Sequence, residues 1–255
     1  MTALLVVGHG TKDAAGVEQF TQHVDLVRRS AMDQVEGGFL ELAPPPIQEA
    51  VGKLVAAGHR EVDVVPLVLV AAGHSKGDIP AALVRERRRH PGLSFRYGRP
   101  LGPHPLLLED LSNRLETEVP KNRWPETAVV LVGRGATDPD ANAEVAKTAR
   151  LLLEGRAIGT VETAFVSLAE PSVAQGLERA HRLGYTRIVV LPYFLFEGVL
   201  PERIGQQAQD WAQQKPGTTV QTATLIGPSE NLAKLVAERA REIGGPPIQK
   251  KCDTC

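Results

Sequence analysis

The chain has 255 residues, and its 29 basic and 30 acidic residues give a formal net charge of −1. Proteins whose main partner is nucleic acid concentrate positive charge, so this balance argues against that class. The N-terminal apolar run has no basic region before it, which predicts a strand rather than a signal peptide. No segment reaches the roughly 18 apolar residues of a membrane span. We therefore expect a cytoplasmic protein without a membrane partner.

The first half of the chain alternates short apolar runs with segments of helical periodicity. This alternation predicts strands at 4–7, 39–42 and 61–70 and near Phe95. It predicts helices over 17–27 and 47–54, and from about Ile79 and about Pro105. Strands that alternate with helices favour a parallel sheet with right-handed crossovers.

The second half of the chain repeats the first. Phe39 aligns with Phe165 at a shift of 126 residues, and GHGTKD (8–13) aligns with GRGATD (133–138) at a shift of 125. The sequence thus predicts an α/β fold of two similar lobes, each a mainly parallel four-stranded sheet flanked by helices. We place an N-terminal lobe at 1–120, a degenerate repeat lobe at 126–244 and a flexible tail at 245–255.

Three residues that can bind a metal ion follow predicted strands of the first half: His9, Glu41 and His74. Ligands bind beyond the carboxyl ends of strands in open parallel sheets. Two imidazoles and a carboxylate suit a divalent ion such as Fe, Co or Ni, and three protein ligands leave positions open. The alternative is that both histidines are solvated or bond to backbone, and that Glu41 is solvated.

The repeat acts as an internal control for these candidates. The second half carries Arg134 in place of His9, Ser167 in place of Glu41 and Val199 in place of His74. This pattern predicts that only the N-terminal lobe binds metal. The alternative is that these positions diverged in surface loops without any loss of function.

Several segments resemble one family. LLVVGHGTKD, GFLEL, VVPLVLVAAGH and GDIP are similar to the sirohydrochlorin chelatases, the CbiX/SirB group of class II chelatases. The second half resembles the C-terminal half of their long, two-lobed forms through VGRGATDPDANAEVAKTARLL and VVLPYFLFEGVLPERI. The resemblance covers about residues 3–243.

The resemblance implies insertion of a divalent metal substrate (Fe²⁺, Co²⁺ or Ni²⁺) into sirohydrochlorin, for sirohaem or cobalamin biosynthesis. It implies no need for ATP or a further subunit, and a substrate held between two lobes. The two active-site histidines of the family map onto His9 and His74, and its acidic metal-site residue maps onto Glu41. We expect a monomer or a weak homodimer.

Cations are expected at the substrate site, because the macrocycle carries many carboxylates. Arg134 and Arg203 are the candidates, since arginine binds carboxylates with two parallel hydrogen bonds. Structural salt bridges are the alternative.

Cys252 and Cys255 have CxxC spacing. An iron–sulfur cluster needs four thiolates, so a cluster here would have to bridge two chains or recruit other ligands. We favour free thiols in a tail.

Two other functions use similar residues. A histidine phosphatase also places a glycine-flanked histidine after its first strand, but it needs an arginine just before that histidine, where this chain has Gly8. A non-catalytic carrier of metal or tetrapyrrole would need the same site as a chelatase, so the sequence leaves it open.

Overall fold

The computed structural model describes residues 3–30 and 34–244, which fold into two compact units. The first unit contains the chain up to Gly102 and the segment from Pro228 onward, and the second contains Pro103–Gly227. The predicted tail with Cys252 and Cys255 lies outside the described residues. Within the part of the chain described, no helix is long and apolar enough to cross a bilayer.

Strands and helices alternate along both halves. In chain order, the elements of the first half are β1 (Ala3–Gly8), α1 (Ala14–Arg29), β2 (Val35–Phe39), α2 (Ile47–Ala56), β3 (Glu61–Pro66), a π-helical turn (His74–Asp78), α3 (Ile79–Arg89), β4 (Ser94–Tyr97) and α4 (Pro105–Glu118). After a 3-10 segment (Lys121–Glu126) follow β5 (Thr127–Gly133), α5 (Pro139–Leu153), β6 (Thr160–Phe165), α6 (Val173–Arg182), β7 (Arg187–Pro192), α7 (Val199–Gln213), β8 (Thr219–Thr222) and α8 (Glu230–Gly244).

Each unit is built on a four-stranded parallel sheet. The strand orders are β2-β1-β3-β4 in the first unit and β6-β5-β7-β8 in the second. The registers also correspond, since Gly8 pairs with Phe39 and Gly133 pairs with Phe165. The predicted α/β fold of two similar sheets flanked by helices is confirmed.

Helices cover both faces of the first sheet. A Cβ added to Gly37 would lie 2.6 Å from Val24 of α1, whereas one added to Gly38 would lie 3.0 Å from Ile47 of α2. Successive strand residues point to opposite faces, so these glycines let one helix approach on each side. All six residues of β1 are buried, as expected for a parallel strand covered on both faces.

The second strand differs from its predicted position. The sequence predicts it at 39–42, but β2 ends at Phe39. Leu42 has a φ of 66°, a left-handed conformation that no strand residue adopts. The three residues after Phe39 therefore form a loop at the carboxyl edge of the sheet.

The compact units also differ from the predicted lobe boundaries of 1–120 and 126–244. Helix α4 is continuous with the first half in sequence but packs against α5 and β7 in the second unit. Helix α8 ends the second half but packs against α1 and β3 in the first unit. Each half thus contributes its last helix to the other unit.

One arginine in each exchanged helix, buried in α8 and half-buried in α4, anchors that helix. Arg239 of α8 is 1% exposed and donates to the carbonyl oxygens of Pro100 and Leu101, at 3.2 and 2.5 Å. Arg114 of α4, which is 125 residues earlier, donates to the carbonyl oxygens of Leu225 and Ile226. In each unit the guanidinium binds the segment that follows the edge strand, which explains why the last helix belongs to that sheet.

Candidate metal centre

The loops at the carboxyl edge of the first sheet diverge between β1 and β3. The order β2-β1-β3-β4 places β2 on one side of β1, and β3 with β4 on the other. The chain therefore leaves β1 and β3 in opposite directions, and such a point opens a crevice for ligands. His9 directly follows β1, and the π-helical turn that begins at His74 comes after β3.

Backbone hydrogen bonds hold His9 and Glu41 side by side. The amide of Leu40 donates to the carbonyl of Gly8 at 2.9 Å, and the amide of Glu41 donates to the carbonyl of His9 at 3.0 Å. These two bonds join the segments that follow β1 and β2. The His9 Nε2 and Glu41 Oε1 atoms lie 3.4 Å apart.

The other ring nitrogen of His9 faces a backbone carbonyl. His9 Nδ1 lies 3.3 Å from the oxygen of Gly10, and a carbonyl only accepts hydrogen bonds. The contact is a hydrogen bond when Nδ1 carries the proton, which in the neutral ring leaves a lone pair on Nε2. Nε2 and the carboxylate of Glu41 then both offer electron pairs to the same place, as two ligands of a shared cation would.

The separation of these two atoms fits a metal ion. Bonds of roughly 2.1 Å from one ion to an imidazole nitrogen and a carboxylate oxygen are ordinary in proteins. With the 3.4 Å separation, such bonds would enclose an angle of about 108°. This angle is close to tetrahedral, so His9 and Glu41 could bind one ion without moving apart.

Gly10 makes this approach of the two loops sterically feasible. Its φ is 108°, and an added Cβ would lie 1.8 Å from the carbonyl oxygen of Glu41. A side chain at this position would push away the segment that carries Glu41. The close approach of the Glu41 carbonyl therefore requires a glycine at position 10.

The backbone that carries His74 is fixed by its neighbours. Ser75 is buried, and its hydroxyl donates to the carbonyl of Ala72 at 3.0 Å. The hydroxyl of Tyr97, at the end of β4, donates to the carbonyl of Ser75 at 2.9 Å. Neither Ser75 nor Tyr97 was predictable from the sequence, because a serine in a loop and a tyrosine in a short strand have no distinctive spacing.

The structure brings two of the three predicted metal ligands together. The backbone of His74 lies in the π-helical turn, while its side chain lies outside the described part of the chain. Among the side chains that are described, no group of three His, Cys, Asp or Glu could hold a metal ion. The three-residue site therefore stays a prediction, and the described geometry supplies the pair His9 and Glu41.

The second unit repeats the loops without the metal ligands. The amide of Ser167 donates to the carbonyl of Arg134 at 3.0 Å, as Glu41 does to His9. A Cβ on Gly135 would lie 1.8 Å from the oxygen of Ser167, as for Gly10. Arg134 follows β5 and Arg203 lies in the second turn of α7, and both are exposed.

Comparison with known proteins identifies a family. The sequence model described as CbiX matches the chain twice, over residues 3–118 and 128–243. The two matches correspond to the two halves of the internal repeat.

Named relatives and a solved structure are similar over most of the chain. A sirohydrochlorin cobaltochelatase of Priestia megaterium is 36% identical over 100% of this chain and 84% of its own length. A sirohydrochlorin ferrochelatase of the same organism is 30% identical over 95% of this chain and 91% of its own. The structure of SirB from Bacillus subtilis with Fe³⁺ superposes with a TM-score of 0.83 at 30% identity, covering 95% of this chain and 96% of that one.

Proposed function

Because the chain belongs to the CbiX family, we propose that it is a chelatase, a lyase that inserts Fe²⁺ or Co²⁺ into sirohydrochlorin. One observation carries the proposal. His9 and Glu41 bring an imidazole nitrogen and a carboxylate oxygen within 3.4 Å at the carboxyl edge of the first sheet. A histidine phosphatase would need an arginine at position 8 to hold phosphate, and this chain has Gly8 there.

Metal insertion needs a site that holds the ion loosely and accepts protons. Two pyrrolic N–H groups of the macrocycle each lose a proton as the ion enters, so two protons leave for each metal bound. A neutral histidine can hold the ion through its lone pair or, once the ion has left, use the same lone pair to take up a proton near neutral pH. We assign these tasks to His9 and His74, and we assign help with metal capture or proton removal to Glu41.

A small number of protein ligands also suits a metal ion that must leave the site. An ion held by two or three side chains keeps open positions, at which the pyrrole nitrogens can bind before the protein ligands dissociate. Imidazole and carboxylate bind several first-row divalent ions, with an affinity order that does not depend on biological use. This chemistry agrees with relatives that are named for cobalt and for iron.

Arg134 and Arg203 are the proposed partners of the substrate carboxylates. Both guanidinium groups are exposed, and both belong to segments that leave the carboxyl edge of the second sheet. Arg134 occupies the place that His9 has in the first unit. We infer that the first unit supplies the metal ligands and that the second supplies charge for the substrate. A cytoplasmic location and a monomeric or weakly dimeric state remain predictions.

Anaerobic incubation with sirohydrochlorin and Fe²⁺, Co²⁺ or Ni²⁺, followed by absorbance, tests the function. We expect the protein to accelerate formation of the metallated product with at least one of the first two ions. Binding of sirohydrochlorin without acceleration would replace the chelatase with a carrier. Absence of any interaction with the tetrapyrrole would overturn both assignments. The same series of ions identifies the preferred metal.

A further inference from the structure

Two leucines are exposed in left-handed backbone at equivalent places of the repeat. Leu42 has a φ of 66° and is 51% exposed, and Leu168 has a φ of 59° and is 63% exposed. Positive φ is rare for a bulky side chain, and solvent exposure of leucine adds a second cost in free energy. Each unit bears both costs at the same point of its sheet edge, which indicates a contact that the free chain does not make.

Both units carry a leucine at this position of the repeat, but only the first unit carries the metal ligand Glu41 before it. Leu42 directly follows Glu41, whereas Leu168 follows Ser167, which cannot replace a carboxylate as a ligand. The backbone of the loop is nevertheless the same in both units, down to the strained residue. The conformation therefore serves a purpose other than metal binding.

The second unit also has a further exposed apolar side chain at this edge. Val199, the first residue of α7, is 66% exposed and takes the place that His74 has in the first unit. The segments that leave this edge thus carry two exposed apolar side chains, Leu168 and Val199, and two exposed cations, Arg134 and Arg203. Apolar groups accompanied by cations complement a flat aromatic ring with carboxylates on its rim.

We propose that Leu168 is a contact for the apolar face of the tetrapyrrole ring. This inference rests on the proposed function and extends it to substrate recognition. Ring binding removes the exposed leucine from water and so offsets the cost of its conformation. Leu168 is a binding residue and takes no part in proton transfer.

The variant Leu168→Asn isolates this role, because its unit lacks the metal ligands. Asparagine accepts left-handed backbone better than leucine and removes the apolar contact. Leu183→Asn is the matched control, since Leu183 is 61% exposed with an ordinary φ of −73°. It caps the C-terminal end of α6, which runs back from the carboxyl edge and ends at the opposite edge of the sheet.

Fluorescence titration with metal-free sirohydrochlorin measures the effect. We expect Leu168→Asn to weaken binding about tenfold, the loss that follows from exposing a leucine-sized contact. Its Co²⁺ affinity and thermal midpoint should equal or exceed those of the wild type, whereas a merely structural leucine would lower the midpoint when replaced. The control Leu183→Asn should bind sirohydrochlorin like the wild type.

Two results would overturn the inference. If Leu168→Asn binds sirohydrochlorin as tightly as a wild-type protein that inserts metal, the leucine contact is wrong while the chelatase function stands. The contact is also wrong if the Leu183→Asn control loses as much affinity. A wild-type protein that does not bind sirohydrochlorin would refute the proposed function and this inference with it.

Discussion

Replacement of Gly10 by alanine should separate His9 from Glu41. The added Cβ would lie 1.8 Å from the carbonyl oxygen of Glu41, and Cβ atoms essentially never approach closer than 3.0 Å. The two segments must therefore part by about 1.2 Å (3.0 − 1.8). A displacement of this size in a site costs roughly 10- to 100-fold in metal affinity or rate. Left-handed alanine further destabilises the fold by about 1–2 kcal/mol.

Gly135→Ala is the matched control for Gly10→Ala. It has the same 1.8 Å overlap, with Ser167 in place of Glu41, and a φ of 85°. Both variants should lose similar stability in urea unfolding, but only Gly10→Ala should lose Co²⁺ affinity in an anaerobic titration without tetrapyrrole. Equal Co²⁺ affinity in the two variants would refute the assignment of His9 and Glu41 as a metal pair.

Three further predictions concern residues that support the first unit. Burial lowers the pKa of His23 from 6.5 to about 4, so between these values the unfolded chain binds a proton that the folded chain does not. The free energy of unfolding should therefore fall by about 3 kcal/mol between pH 7 and pH 4. Urea unfolding of His23→Leu should no longer show this fall. Arg239→Met should lower the free energy of unfolding by about 2–6 kcal/mol, because it leaves the carbonyls of Pro100 and Leu101 without their donor. Arg99→Met removes an exposed ion pair with Glu242 and should cost at most about 1 kcal/mol. Equal losses would contradict the anchoring of α8. Tyr97→Phe removes the hydrogen bond to Ser75, which should lower the free energy of unfolding by about 1 kcal/mol. It should also weaken Co²⁺ binding several-fold. Unchanged Co²⁺ affinity would show that Tyr97 does not position the segment of His74.

The sequence predicted the two sheets well because its strongest signals are local. Apolar runs such as LLVV and the repeated glycines and prolines define the strands and their ends, and this does not depend on which sheet a helix packs against. The exchange of α4 and α8 was not predictable in this way. The two sheets are equivalent, so the apolar stripe of either helix fits both. Only Arg114 and Arg239 carry a signal, since an arginine within an apolar stripe needs buried acceptors.

The sequence predicted which strand ends carry the candidate site, but it did not predict how the side chains are arranged there. His9 and Glu41 follow neighbouring parallel strands, which places both residues at the same edge of the sheet. The sequence could not show that residues 40–42 leave the strand, which turns Glu41 and Leu42 into loop residues. It also gave no sign that Tyr97 bonds to the turn of His74, since that contact joins positions 22 residues apart.

The double variant His9→Ala/His74→Ala tests most directly the claim that the first unit supplies the metal ligands. Its rate of Co²⁺ insertion into sirohydrochlorin would be measured anaerobically by absorbance, with circular dichroism to verify folding. We expect a folded protein whose rate does not exceed the reaction without protein. Wild-type turnover by the purified double variant would contradict the account.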